Sequence, residues 1–154
     1  MINKILIGIA FSPNLKANLY EAIRLSNMLN ASLIGVHVGN KSTEKENQLQ
    51  NLLKDAPSRK NAFNCIWQNG KPINVILNTV AKQEIDLLIL GALQKENLYK
   101  YYVGSIAREL TRKASCSVLL LIKPSIERIP CKHIVVNGLK NKKTEHTIKE
   151  SFEF

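Results

Sequence analysis

The sequence predicts an α/β fold, a five-stranded open parallel sheet with helices on both faces (Rossmann-like, of the adenine nucleotide alpha hydrolase type). Two observations carry this expectation. Five short apolar runs alternate with longer amphipathic ones along the first 122 residues. The short runs are apolar throughout instead of alternating with polar residues, which is the pattern of strands buried on both faces. Such strands, separated by helices, are joined into a parallel sheet by right-handed crossovers.

Each element follows in order. Residues 4–10, Lys-Ile-Leu-Ile-Gly-Ile-Ala, read as a buried strand. Residues 13–29 carry Leu15, Leu19, Ala22, Ile23 and Leu29 near helical spacing, with Ser12 as a candidate N-cap before Pro13 at the first helical position. Residues 32–38 form the second strand. Residues 41–55 are polar apart from Leu49, Leu52 and Leu53, the mark of a helix with a narrow apolar stripe. A short strand at 63–67 is followed by the turn Asn69-Gly70-Lys71-Pro72 and a helix at 73–82. The fourth strand is expected at 85–90, the fourth helix at 105–114 and the fifth strand at 118–122.

Beyond the fifth strand, Pro124 and Pro130 bracket a linker. Residues 131–138 resemble another strand and turn, and 144–154 a helix with Thr144 as its cap. This order echoes the opening of the chain. The division expected is a domain at 1–123, a linker at 124–132 and a partial strand-helix tail at 133–154, read as the start of a second copy, with a tail docked on its own domain or on a partner as the alternative.

The chain has 154 residues and a formal net charge of +10. That length suits one domain with a real core. No apolar run approaches the roughly 20 residues that span a bilayer, and the N-terminus lacks a signal-peptide pattern, so a cytoplasmic protein is expected. Cys65, Cys116 and Cys131 form no CxxC and are read as free thiols, with Cys65 and Cys116 buried. His37, His133 and His146 are scattered, so no metal site is expected. The basic residues are spread along the chain, and no RNA-binding aromatic signature or helix-turn-helix accompanies them. They are read as a solvated surface without a specific nucleic-acid partner.

The segment from Gly91 to Ser105 lies between the fourth strand and the fourth helix. A strand, a glycine, a loop and then Gly-Ser opening a helix is how an α/β protein builds an anion pocket, because N–H groups and the helix dipole point at the ligand there. Gly91, two residues, Gln94, nine residues, then Gly104-Ser105 follow the spacing of a known motif. With the opening 4–12, Val36-His37-Val38, and the small-residue entry Ala114-Ser115-Cys116-Ser117 to the fifth strand, residues 3–123 resemble a universal stress protein domain. The resemblance implies ATP as ligand, with magnesium only as the nucleotide's companion. It implies contacts at Ala10, Val38, Gly91, Gln94, Gly104 and Ser105, with Val38 meeting adenine mainly through its backbone. It also implies a homodimer, or a tandem pseudo-dimer, paired through residues 118–122.

Two positions depart from the family pattern. Gln94 stands where ATP-binding members carry a glycine, and Ala10 where an acidic residue ends the first strand. Gln94 adds bulk where phosphate approaches, and Ala10 removes an acceptor for nucleotide hydroxyls or a bound cation. Lys95 and Lys100 are read either as phosphate contacts or as solvated surface, and Tyr99, Tyr101 and Tyr102 as packing or as a pocket cover. No triad and no paired carboxylates at a strand end accompany Ser105, so no catalytic residue is expected. The expected function is a non-catalytic stress-regulatory module with a degenerate nucleotide site. The alternative is a functional ATP-binding module with weak or no hydrolysis.

Overall fold

The computed structural model describes residues 1–58, 62–91, 104–127 and 144–152. Strands β1 (Lys4–Gly8), β2 (Ser32–Val38), β3 (Asn64–Gln68), β4 (Leu87–Gly91) and β5 (Ser117–Leu121) form one sheet in the order β3-β2-β1-β4-β5. Every neighbouring pair is parallel. Helices α1 (Leu15–Met28), α2 (Thr43–Lys54), α3 (Pro72–Gln83) and α4 (Ser105–Lys113) alternate with the strands, and α5 (Thr144–Ser151) comes last. The expected α/β fold is the one observed.

The all-apolar strands are explained by two core layers. Ile5, Ile7 and Ile9 point to one side of the sheet, against Leu15, Leu19 and Ile23 of α1 and Leu49 of α2. Leu6 points to the other, against Val75, Ile76 and Val80 of α3 and Leu110 of α4. The adjacent β4 divides the same way, with Leu87 and Ile89 on the α1 side and Leu88 and Leu90 opposite. Ile5, Leu6, Ile7, Leu88 and Ile89 have no exposed surface. Burying each such side chain contributes about 1.5–3 kcal/mol before the entropy of ordering is set against it.

Element boundaries differ from expectation for local reasons. Ser12 is not the cap of α1. Leu15 N–H reaches Ser12 O at 3.0 Å, closing a turn through Pro13, and Asn14 holds the cap position without a side-chain bond. Ser42 does cap α2, its hydroxyl accepting from Lys45 N–H at 3.3 Å. Pro72 occupies the first turn of α3, as its fixed φ favours. β4 begins at Leu87, not at residue 85, because Ile85 N–H turns back to Val80 O at 3.0 Å at the end of α3; Asp86 already joins both neighbours by its backbone, donating to Lys4 O at 3.0 Å and accepting from Ser117 N–H at 3.1 Å. Its carboxylate accepts from Asn3 N–H at 2.8 Å and Lys4 N–H at 2.9 Å, tying the start of β1 to the start of β4. The fifth strand starts one residue earlier than expected, and Ile122 lies just beyond it and is exposed. Cys65 and Cys116 are free but half-buried, not fully buried, because both lie on or beside edge strands. Thr144, expected as a cap, is the first residue of α5. The expected strand at 131–138 and Cys131 lie outside the described residues, and no helix among the described residues is long and apolar enough to cross a membrane.

Candidate functional site

In a parallel sheet, ligands settle beyond the carboxyl ends of the strands where strand order reverses. Here that point lies between β1 and β4, which are hydrogen-bonded neighbours with Leu6 beside Leu88. Chain connections leave β1 toward α1 on one face and β4 toward α4 on the other. The crevice is therefore bounded by the segment after Ile9, the end of β2, the end of β4 and the start of α4.

Of the sequence-derived residues, Ala10, Val38, Gly91, Gly104 and Ser105 are described, and each lies at or beside a strand end or helix start on this end of the sheet. Ile9 N–H extends the ladder to Val36 O at 2.8 Å, and Ala10 follows, exposed. Ser12 N–H returns to Ala10 O at 2.7 Å, turning the chain toward α1. Ala10 thus presents a methyl group and one backbone carbonyl engaged in a turn. Val38 is the last residue of β2, half-buried on the α3 and α4 side. Gly39 follows with φ +146°, a conformation that favours glycine. Gly91 ends β4. Gly104 holds the cap position of α4 with φ −55° and ψ 156°, so Ser105 is the first helical residue and not its N-cap. Gln94, Lys95, Lys100 and the three tyrosines lie outside the described residues.

The start of α4 suits an anion. Arg108 N–H makes the first helical bond, to Gly104 O at 3.0 Å, so the N–H groups of Ser105, Ile106 and Ala107 have no acceptor within the helix. The first turn carries no acidic residue, and Gly104 at the cap position has no side chain to cap it. Arg112 and Lys113 sit in the last turn, where positive charge complements the dipole.

Gly91 has a packing partner that sequence reasoning missed. A Cβ there would stand 2.9 Å from Asn18 Cγ and closer still to Nδ2. Asn18, in the first turns of α1, is 8% exposed, and its Oδ1 is buried without a hydrogen-bond partner. The absence of a side chain at Gly91 is thus used by the protein itself. Asn18 gave no signal in the sequence, since a polar residue between Leu15 and Leu19 reads as the wet face of a helix.

A second unread cluster stands beside the crevice. Phe11, His37 and Trp67 make mutual ring contacts at 5.0, 6.0 and 5.1 Å between centroids. His37 Nδ1 lies 2.9 Å from Ile9 O, an acceptor only, so Nδ1 carries the proton. Nε2 is then free to accept from the Lys45 ammonium group at 3.2 Å, which also sits 5.7 Å from the Phe11 ring centre. A structural histidine results, fixing the rim of β1 and β2. Burial pushes the Cys65 thiol up to about 11, despite a hydrogen bond with the His37 backbone, and burial raises Cys116 as well. Both are held as thiols at neutral pH, which makes them poor nucleophiles. Among the described residues no group of three histidine, cysteine, aspartate or glutamate side chains is placed to hold a metal ion.

Comparison with known proteins follows the same lines. The sequence profile described as "Universal stress protein family" matches residues 39–121, more than half of the chain. Universal stress protein MJ0531 of Methanocaldococcus jannaschii is 34% identical over 58 residues, spanning 38% of this chain and only 34% of that protein. Universal stress protein YxiE of Bacillus subtilis is 23% identical over 147 residues, spanning 79% of this chain and 99% of that protein. The crystal structure of a universal stress protein in complex with cAMP superposes with a TM-score of 0.63 at 16% identity, covering 78% of this chain and 96% of that one. At that identity the likeness is one of fold.

Proposed function

The chain belongs to the universal stress protein family, and from that membership we propose a non-catalytic regulatory module whose nucleotide site is degenerate. The observation that carries this reading is Ala10, exposed at the β1–β4 crevice with a methyl group where a carboxylate would serve a ribose or a cation. Losing a hydrogen bond to a charged acceptor costs on the order of 1.5–3 kcal/mol, roughly ten- to a hundredfold in affinity. The cAMP carried by a structural neighbour supports adenine nucleotides as the ligand class. The first turn of α4 fits phosphate oxygens, whereas Ala10 does not fit a cation. A nucleotide would therefore bind weakly, held by its phosphates at Gly104 and Ser105 with adenine beside Val38. Magnesium would enter only with the nucleotide.

The second reading, a functional ATP-binding module with weak or no hydrolysis, is favoured by that same start of α4, with glycine at its cap position. Calorimetric titration with ATP and magnesium decides between the two. The degenerate site gives no saturation at micromolar ATP, and Ala10→Asp together with Gln94→Gly raises affinity about tenfold or more. Micromolar binding by the unaltered chain favours the second reading and removes the first.

The proposal extends to assembly. β5 is an edge strand, and two copies would pair through residues 118–122. The division into a domain at 1–123, a linker at 124–132 and a partial second unit at 133–154 belongs to the same reading, as does a cytoplasmic setting.

A further inference from the structure

We infer that α5 is a cover, supplied by the chain itself, for the β5 edge, and that it limits the pairing of two copies; the inference rests on the proposed β5 interface. Register places Ser117 beside Leu87, Leu119 beside Ile89 and Leu121 beside Gly91, so these three β5 side chains face the α1 side of the sheet. All three are only half-buried. The end of the chain comes to this same side by two independent sets of contacts.

The first set is a strap. Glu21 of α1 accepts from Ser125 N–H at 2.9 Å. Arg24, one turn further on, donates to Ser125 O at 2.7 Å and also to Ile126 O. The segment that leaves β5 is thus held by its backbone against the outer side of α1. The second set is the return. Glu150 of α5 accepts from the Ser117 hydroxyl at 2.8 Å, at the first residue of β5. Its side chain is 18% exposed and lies 3.8 Å from His146, whose side chain is 66% exposed. The Glu150 charge also reaches Cys116, where it is one of the lesser causes raising the thiol after burial.

The outer edge of β5 pairs with no strand among the described residues. A two-fold antiparallel pairing centred on Leu119 would bring Leu121 of a second copy opposite Ser117. That is where Glu150 is anchored. The tail and a second copy therefore compete for one end of the same strand, and each dimer formed must displace two tails.

The test uses the full chain. Sedimentation equilibrium measures the dimer Kd of the unaltered protein, of Glu150→Arg and of Ser117→Ala, while hydrogen exchange on dilute samples follows the amides of α5 and β5. Glu150→Arg is expected to tighten the dimer about a hundredfold or more, because a charge-assisted hydrogen bond is lost from each of two tails. Ser117→Ala shifts Kd the same way by less, and exchange in α5 speeds up in both variants. A dimer Kd unchanged within about twofold, a weakened dimer, or a chain that stays monomeric with and without Glu150→Arg overturns the inference. Ile122→Glu, at an exposed position past the end of β5, tests the interface separately. If it leaves self-association unchanged, the β5 interface is wrong, and the exchange of α5 in Glu150→Arg still reports whether the tail is anchored through Glu150.

Discussion

A β-carbon on Gly91 would stand 2.9 Å from Asn18 Cγ, in space that side chains of a packed interior do not yield. Gly91→Ala should therefore cost about 1–3 kcal/mol of stability by overpacking. Asn18→Ala alone should be close to neutral, because it removes a buried oxygen that has no hydrogen-bond partner. Combining the two should recover most of the Gly91→Ala loss, a coupling measurable by urea denaturation of the four proteins in the cycle. Equal costs of Gly91→Ala in both backgrounds would mean that Asn18 is not the obstacle. Gly91 was legible as the first position of a spaced motif. Its partner was not, because the contact joins α1 to β4 and leaves no trace in the local pattern of either.

At the level of elements, helix ends show how far composition reaches. The polar run reads as helical from residue 41, but α2 starts at Thr43, because the Ser42 hydroxyl caps it, ahead of Glu44 and Glu46 in the first turn. α3 ends differently, with Glu84 in the left-handed region at φ 52° and its N–H reaching Ala81 O at 3.3 Å. A glycine adopts that conformation without the clash of a Cβ. Glu84→Gly should raise stability by about 1 kcal/mol, net of the surface ion pair with Lys4 that it removes. Thermal or urea unfolding checks this, and a destabilised variant would show that the ion pair outweighs the backbone strain. The boundary at Asp86 has a comparable lesson. Residues 85–90 read as one apolar run, but Ile85 N–H is held by Val80 O at the end of α3, while the Asp86 carboxylate binds the N–H groups of Asn3 and Lys4. The end of α3 trims the strand in a way hydropathy does not encode.

For the molecule as a whole, pH enters through the half-buried thiol on β3. Cys65 is raised from 9.0 to about 11, chiefly by burial. Unfolded chains lose that proton near 9.0 and folded ones keep it, so between 9.0 and about 11 the folded state binds more protons. Stability from this group is intact below 9.0 and falls as pH rises through that window. Urea midpoints measured below 9.0 and near 11 should drop more in the unaltered chain than in Cys65→Ala, each compared with itself at the lower pH. Equal drops would assign the alkaline loss to other groups. The net charge of +10 acts at this scale too, as mutual repulsion that favours solubility, without selecting the fold.

What the sequence by itself determined is the order and kind of the elements of the sheet domain. Apolar runs, helical spacing and turn residues are properties of adjacent positions, and an all-apolar strand demands burial on both faces wherever it lies. The motif spacing from Gly91 to Ser105 added the family, and with it the fold class to expect. Only the tertiary structure decided which groups meet. Asn3 binds Asp86 across 83 residues, Glu150 binds Ser117 across 33, and Asn18 fills the place beside Gly91. Those meetings depend on β1 lying between β2 and β4 and on where each helix crosses the sheet. Hydrogen bonds and steric contacts act over a few ångströms of space, and no local period in the chain records which distant residues will share them.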